Sequence, residues 1–113
     1  MSVVSPFPNP RDRRLITSFD RQELMRIMDL YGRMVSAGHW RDYAIGHHPE
    51  LAVFAAFRRS AERPEVRIEK RPELRARQGM YVLVGEHGAV LKRGQELSGV
   101  LAPIERRLLR LVS

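Results

Sequence analysis

The chain has 113 residues, carries 20 lysines and arginines against 13 aspartates and glutamates, and bears a formal net charge of +7. That length buries one modest core, and its 43% apolar and 29% charged fractions are those of a folded domain. It contains no cysteine, which excludes disulfides, thiolate metal sites and a cysteine nucleophile.

The opening stretch, MSVVSPFPNPRDRR, contains Pro6, Pro8 and Pro10. Residues 1–13 read as a flexible, proline-rich arm ahead of a single domain over 14–113. The arm has neither the charged leader of a signal peptide nor an apolar run of membrane-spanning length, so a cytoplasmic protein is the expectation. Arg14–Phe19 (RLITSF) suggests a short strand.

Asp20 and Glu23 form a capping-box-like pair that opens a helix over 21–37. Leu24, Ile27, Met28, Tyr31 and Val35 follow at helical spacing as its apolar face, with Arg26, Asp29 and Arg33 turned away. Gly38 stands where a left-handed residue would end it.

Trp40–Ile45 is strand-like, and 46–50 has the composition of a turn. Leu51–Phe57 is apolar on both faces, as a central strand is. Glu65–Lys70 alternates, predicting Val66 and Ile68 inward with Arg67 and Glu69 toward water. Pro72 suits the first position of a one-turn helix. Met80–Val84 and Ala89–Lys92 flank a glycine-bounded loop, which predicts a hairpin. Leu97, Val100 and Leu101 suggest a short helix, and Pro103 would open a second one lined by Ile104, Leu108 and Leu111. The fold class is α+β: an antiparallel meander of four to five strands, a long N-terminal helix packed on one face, and a short C-terminal helix.

Three segments, SFDRQELMRIMDLYGRMVSAGHWRDYAI, FRRSAERPEVRIEKRPEL and QGMYVLVGEHGAVLKRGQEL, together resemble domain of unknown function 2794, a family of alphaproteobacterial proteins. The resemblance runs from about Phe19 to Leu101. It implies a bacterial cytosolic protein and brings no activity, cofactor or catalytic residue with it.

His39, His47 and His48 crowd one segment, but a metal needs converging ligands at workable spacing. His47 and His48 are adjacent and diverge, and a whole strand separates them from His39. No metal or other cofactor is expected; His39 is placed at the helix end, where a partly positive imidazole suits the dipole. No serine lies in a nucleophile elbow and no phosphate-binding glycine motif occurs. An enzyme, and with it a small-molecule substrate, is therefore not expected.

The basic segment 58–77 is a stronger candidate. It carries Arg58, Arg59, Arg63, Arg67, Lys70, Arg71, Arg75 and Arg77 against four glutamates, a net +4. With Arg13 and Arg14 on the arm, these could contact nucleic-acid phosphates or an acidic protein surface; the interleaved glutamates could equally neutralise them. Trp40 and Tyr43 are the aromatic residues suited to anchoring a partner. Two readings stay open: a small non-enzymatic basic module on nucleic acid, and a protein–protein adaptor or regulatory subunit using the C-terminal helix. Self-association through a sheet edge or that helix is a further possibility. A contiguous positive face would favour the first reading and a mosaic of ion pairs the second.

Overall fold

The computed structural model describes residues 16–59 and 62–112, without the side chains of 111 and 112. The proline-rich arm, with Arg13 and Arg14, lies outside the described residues. In chain order the elements are helix α1 (Arg21–Ser36), strands β1 (Asp42–His47), β2 (Ala52–Phe57) and β3 (Val66–Lys70), a 3-10 turn (Pro72–Leu74), strands β4 (Tyr81–Gly85) and β5 (Val90–Gly94), and helix α2 (Leu97–Val112). The strands form one antiparallel sheet in the order β1-β2-β3-β4-β5, the α+β meander expected from the sequence.

Both ends of α1 form as the local chemistry dictates. Asp20 accepts from the Glu23 N–H at 2.8 Å while Glu23 accepts from the Asp20 N–H at 2.7 Å, so a capping box satisfies two orphan donors. At the other end Gly38 takes φ 78°. Its N–H donates to the Val35 carbonyl and that of His39 to Met34, each at 2.9 Å, closing a Schellman motif.

Both helices cover the same face of the sheet. Phe54, Ile68, Tyr81 and Leu83 from the strands share one buried cluster with Ile27, Leu30 and Met34 of α1 and with Leu97, Val100, Leu101, Ile104 and Leu108 of α2. Burying side chains of this size contributes about 1.5–3 kcal/mol each before entropy is counted. Glu65 and the arginines around it close one end of this layer, and Glu23 closes the other.

Four expectations need correction. Residues 16–20 form no strand. They run across the end of the sheet, where Thr17 donates its N–H to the His48 carbonyl at 2.8 Å and its hydroxyl to the Pro49 carbonyl at 2.9 Å; turn carbonyls, not a strand partner, take those donors. The two C-terminal helices are one, with Pro103 inside it, because a continuous apolar stripe from Leu97 to Leu108 outweighs the lost backbone bond. Glu69 does not face water: it is buried on the face of the sheet that neither described helix covers, where Arg67 and Arg71 hold its two oxygens at 3.4 and 3.1 Å.

The fourth correction concerns α1. Its buried stripe is Glu23, Ile27, Leu30 and Met34. Leu24, Met28 and Tyr31 are only partly buried against the core, and Val35 is exposed. The helix thus carries two adjoining apolar stripes and commits one of them to its own core.

Candidate functional site

Tyr31, in the second stripe of α1, lies beside β1, whereas Met28 of that stripe lines a groove with Leu108 and Leu109 of α2. Tyr31 meets the edge of Tyr43 with ring centroids 5.0 Å apart, and Tyr43 stacks on Phe54 at 5.4 Å. Burial and the nearby Asp42 carboxylate raise the Tyr31 pKa. In register, Tyr43, Ile45 and His47 pair with Ala56, Phe54 and Ala52, so their side chains share the helix-covered face. They occupy its rim, with Tyr43 42% and Ile45 37% exposed.

β1 is the first strand of the sheet and, among the described residues, has no strand on its outer side. Its hydrogen-bonding parity follows from the turn after it. His48 donates to the Leu51 carbonyl at 2.9 Å, and antiparallel ladders alternate. The main-chain groups of Asp42, Ala44 and Gly46 therefore turn toward β2, whereas those of Tyr43, Ile45 and His47 point out of the sheet. Arg41 turns its N–H inward to the Phe57 carbonyl at 2.8 Å, so the outward-facing row begins at Tyr43. Among the described residues the result is an edge of outward-facing main-chain groups, of which the Tyr43 N–H donates to the exposed Asp42 carboxylate at 2.8 Å, with an aromatic–aliphatic rim above it.

The other edge strand differs. β5 presents Val90 and Leu91 to solvent, followed by Lys92 and Arg93, and its register with β4 is shifted between Leu83 and Val84. Charge and irregularity are the usual protection of an exposed edge. Inside β1 there is no lysine, arginine or proline.

A second cluster surrounds Glu65 at the opposite end of the helix layer. Its Oε1 accepts from Trp40 Nε1 at 3.3 Å and is paired by Arg107, while Arg58 approaches Oε2 at 3.2 Å and reaches Glu86 at 2.7 Å. His39 Nε2 stands 3.6 Å from Glu65 Oε1, beyond hydrogen-bond distance. Burial and the Arg107 charge lower the His39 pKa, outweighing the pull of Glu65. A shallow cleft of about 460 Å³ opens here. The cluster ties the α1 exit, β2, β3, the β4–β5 turn and α2 together.

A third cluster centres on Glu23. Its Oε1 accepts from Lys70 Nζ at 2.7 Å and its Oε2 from the Tyr81 hydroxyl; Lys70 also donates to the Ser18 carbonyl at 3.0 Å. Burial, then the hydrogen bond to Glu23, raises the Tyr81 pKa.

With this geometry in view, comparison with protein families matches the pattern of domain of unknown function 2794 over residues 17–101. The chain belongs to this family. No curated protein and no solved structure matches it.

In this DUF2794 chain the arginine-rich segment forms a mosaic rather than one free cationic face. Arg58 is held by Glu65 and Glu86, Arg59 lies 3.8 Å from Glu62, Arg67 and Arg71 share Glu69, and Lys70 is in the Glu23 cluster. Arg63 stands 3.4 Å from His87 Nδ1, and Arg75 points an Nη2 at the Met80 sulfur. Arg77 follows the 3-10 turn with its side chain exposed. Of the aromatic pair, Trp40 is a core residue, 1% exposed, whereas Tyr43 is accessible. Of the C-terminal stripe, Leu101, Ile104 and Leu108 are buried in the core, the side chain of Leu111 lies outside the described residues, and the neighbouring Leu109 is exposed.

Ile45, Glu65 and Arg107 were not singled out from sequence. Ile45 was legible as part of a strand; only the strand order shows that this strand is an edge. Glu65 and Arg107 lie far apart in the chain, and no local pattern announces their meeting.

Proposed function

We propose that this chain is a small, non-enzymatic, cytoplasmic protein-binding module that receives a strand of its partner along the open edge of β1. The observation that carries the reading is the outward row of main-chain groups at Tyr43, Ile45 and His47, roofed by Tyr31 from the second stripe of α1. Strand addition draws affinity from such main-chain groups and specificity from side-chain contacts that alternate along the strand. The nucleic-acid reading has less support, since most cations of 58–77 stand beside carboxylates and a phosphate would have to displace them.

Site-specific photocrosslinking in the producing cell tests the proposal. A photoreactive residue at position 43 or 45 should capture protein, and one at Val90 should not. The opposite pattern refutes edge binding. For the competing reading, a titration of single- and double-stranded oligonucleotides at low salt should show no micromolar binding; salt-sensitive micromolar binding would favour phosphate recognition instead.

A further inference from the structure

Building on the edge-binding reading, we infer that the strand received by β1 is β1 of a second copy of this chain, the two sheets joining about a two-fold axis at Ile45. The argument begins from parity. Only Tyr43, Ile45 and His47 offer main-chain groups outward, so an antiparallel partner must match them with its own outward-facing residues. Centring on Ile45 pairs Ile45 with the partner's Ile45, and Tyr43 with the partner's His47 in both symmetry-related positions. Each such pair exchanges two main-chain hydrogen bonds, for which the Tyr43 N–H leaves the exposed Asp42 carboxylate that it meets at 2.8 Å. Centring one residue earlier, on Ala44, leaves Tyr43 paired with Ile45 but sets His47 against Arg41, whose N–H is already turned inward to Phe57. The Ile45 centre therefore uses the whole edge, and a self-complementary patch is what a two-fold dimer requires.

The charges agree with that register. It places Asp42 opposite the partner's His48 and sets Arg41 alongside the partner's Pro49-Glu50 turn, so the acidic and basic groups at the strand ends alternate across the join. A chain of net charge +7 would repel its copy over most surfaces, yet β1 itself carries no lysine or arginine. Because every paired residue keeps its side chain on the helix face, both α1 helices lie on the same side of the joined sheet. There Tyr31, Tyr43 and Ile45 gain apolar neighbours from the partner. Pairing of β1 with β5 of another copy would instead propagate without closing, and the exposed Lys92 guards that edge.

The test is the mass of the full chain in solution, read by light scattering across a dilution series together with amide exchange of the wild type. The expected result is twice the 13.1 kDa chain mass at high concentration, with the amides of Tyr43, Ile45 and His47 protected there. Ile45→Arg, which puts two guanidiniums face to face on the axis, should lose the dimer, and Val90→Arg should keep it. A single-chain mass at every concentration with those three amides exchanging freely overturns the inference, as does an Ile45→Arg protein that remains a dimer. The exchange data need no variant, so the test survives even if Ile45→Arg fails to fold. If the wild type is monomeric but crosslinkers at 43 or 45 capture a different protein, the second copy is wrong and edge binding stands. If neither is seen, both fall.

Discussion

Lys70 offers the sharpest contrast between a surface cation and a structural one. Its ammonium lies 2.7 Å from Glu23 Oε1 and 3.0 Å from the Ser18 carbonyl, with its side chain 14% exposed. Lys70→Met keeps the length of the side chain and removes the charge. Breaking a buried pair by deleting one partner costs about 3–5 kcal/mol. Glu23 retains the Asp20 N–H and the Tyr81 hydroxyl, so the loss falls to the bottom of that range or just below it, about 2–3 kcal/mol. For a domain of this size each kcal/mol moves the melting temperature by about 4–8 °C, so Lys70→Met should melt roughly 10–20 °C lower. Urea unfolding followed by circular dichroism reads the loss directly. Adding Glu23→Gln should recover part of it, because the uncompensated carboxylate is then gone. A change below about 0.5 kcal/mol, ordinary for an exposed cation, would refute the cluster and return Lys70 to the surface.

Other consequences concern residues far from that pair. The His39 pKa is lowered in the folded chain, so the unfolded state binds its proton more readily. The contribution of His39 is complete above its unfolded value of about 6.5 and is lost as pH falls through that value toward the lower folded one. Thermal melts from pH 8 to 5 should decline less steeply in His39→Phe than in the wild type; parallel curves would contradict this. Gly79 holds φ 106°, and a Cβ there would stand 2.8 Å from the Gly94 backbone, so Gly79→Ala should destabilise by more than about 1 kcal/mol; chemical denaturation with no loss would remove that constraint. Pro103 sits inside α2, where proline costs about 3 kcal/mol against alanine. Its stiffening of the unfolded chain offsets up to about 1 kcal/mol, so Pro103→Ala should gain about 2 kcal/mol in the same assay, and a loss would show that the proline is accommodated without strain.

Much of the fold was legible because its signals are local. Asp20, Glu23 and Gly38 delimit α1 by capping chemistry, and Pro72 and Gly88 mark turns that the structure contains. The strands were readable from alternation and the meander from short connections. What was hidden depends on distance along the chain. The rotation of α1 could not be read from an apolar pattern with two adjoining stripes, and the position of Glu23 within the buried one is explained only by Lys70 and Tyr81. Likewise, the cations of 58–77 look free in a linear sequence, yet Arg58, Arg67, Lys70 and Arg71 are matched to carboxylates once the sheet brings them together. Local preference places Pro103 at a helix start, and tertiary burial overrides that preference. The candidate site was half visible: Tyr43 was identified from sequence, whereas its place on an open edge depends on strand order.

Residue-resolved amide exchange along β1 tests the central claim most directly. In the dilute wild-type chain Ile45 and His47 should exchange rapidly, as should Tyr43, whose N–H is held only by the exposed Asp42 side chain, while Ala44 and Gly46 are protected by β2. The three fast amides should become slow when the edge is occupied. Uniform protection along β1 in the dilute chain, or fast exchange at Tyr43, Ile45 and His47 that no partner slows, would contradict an edge built to receive a strand.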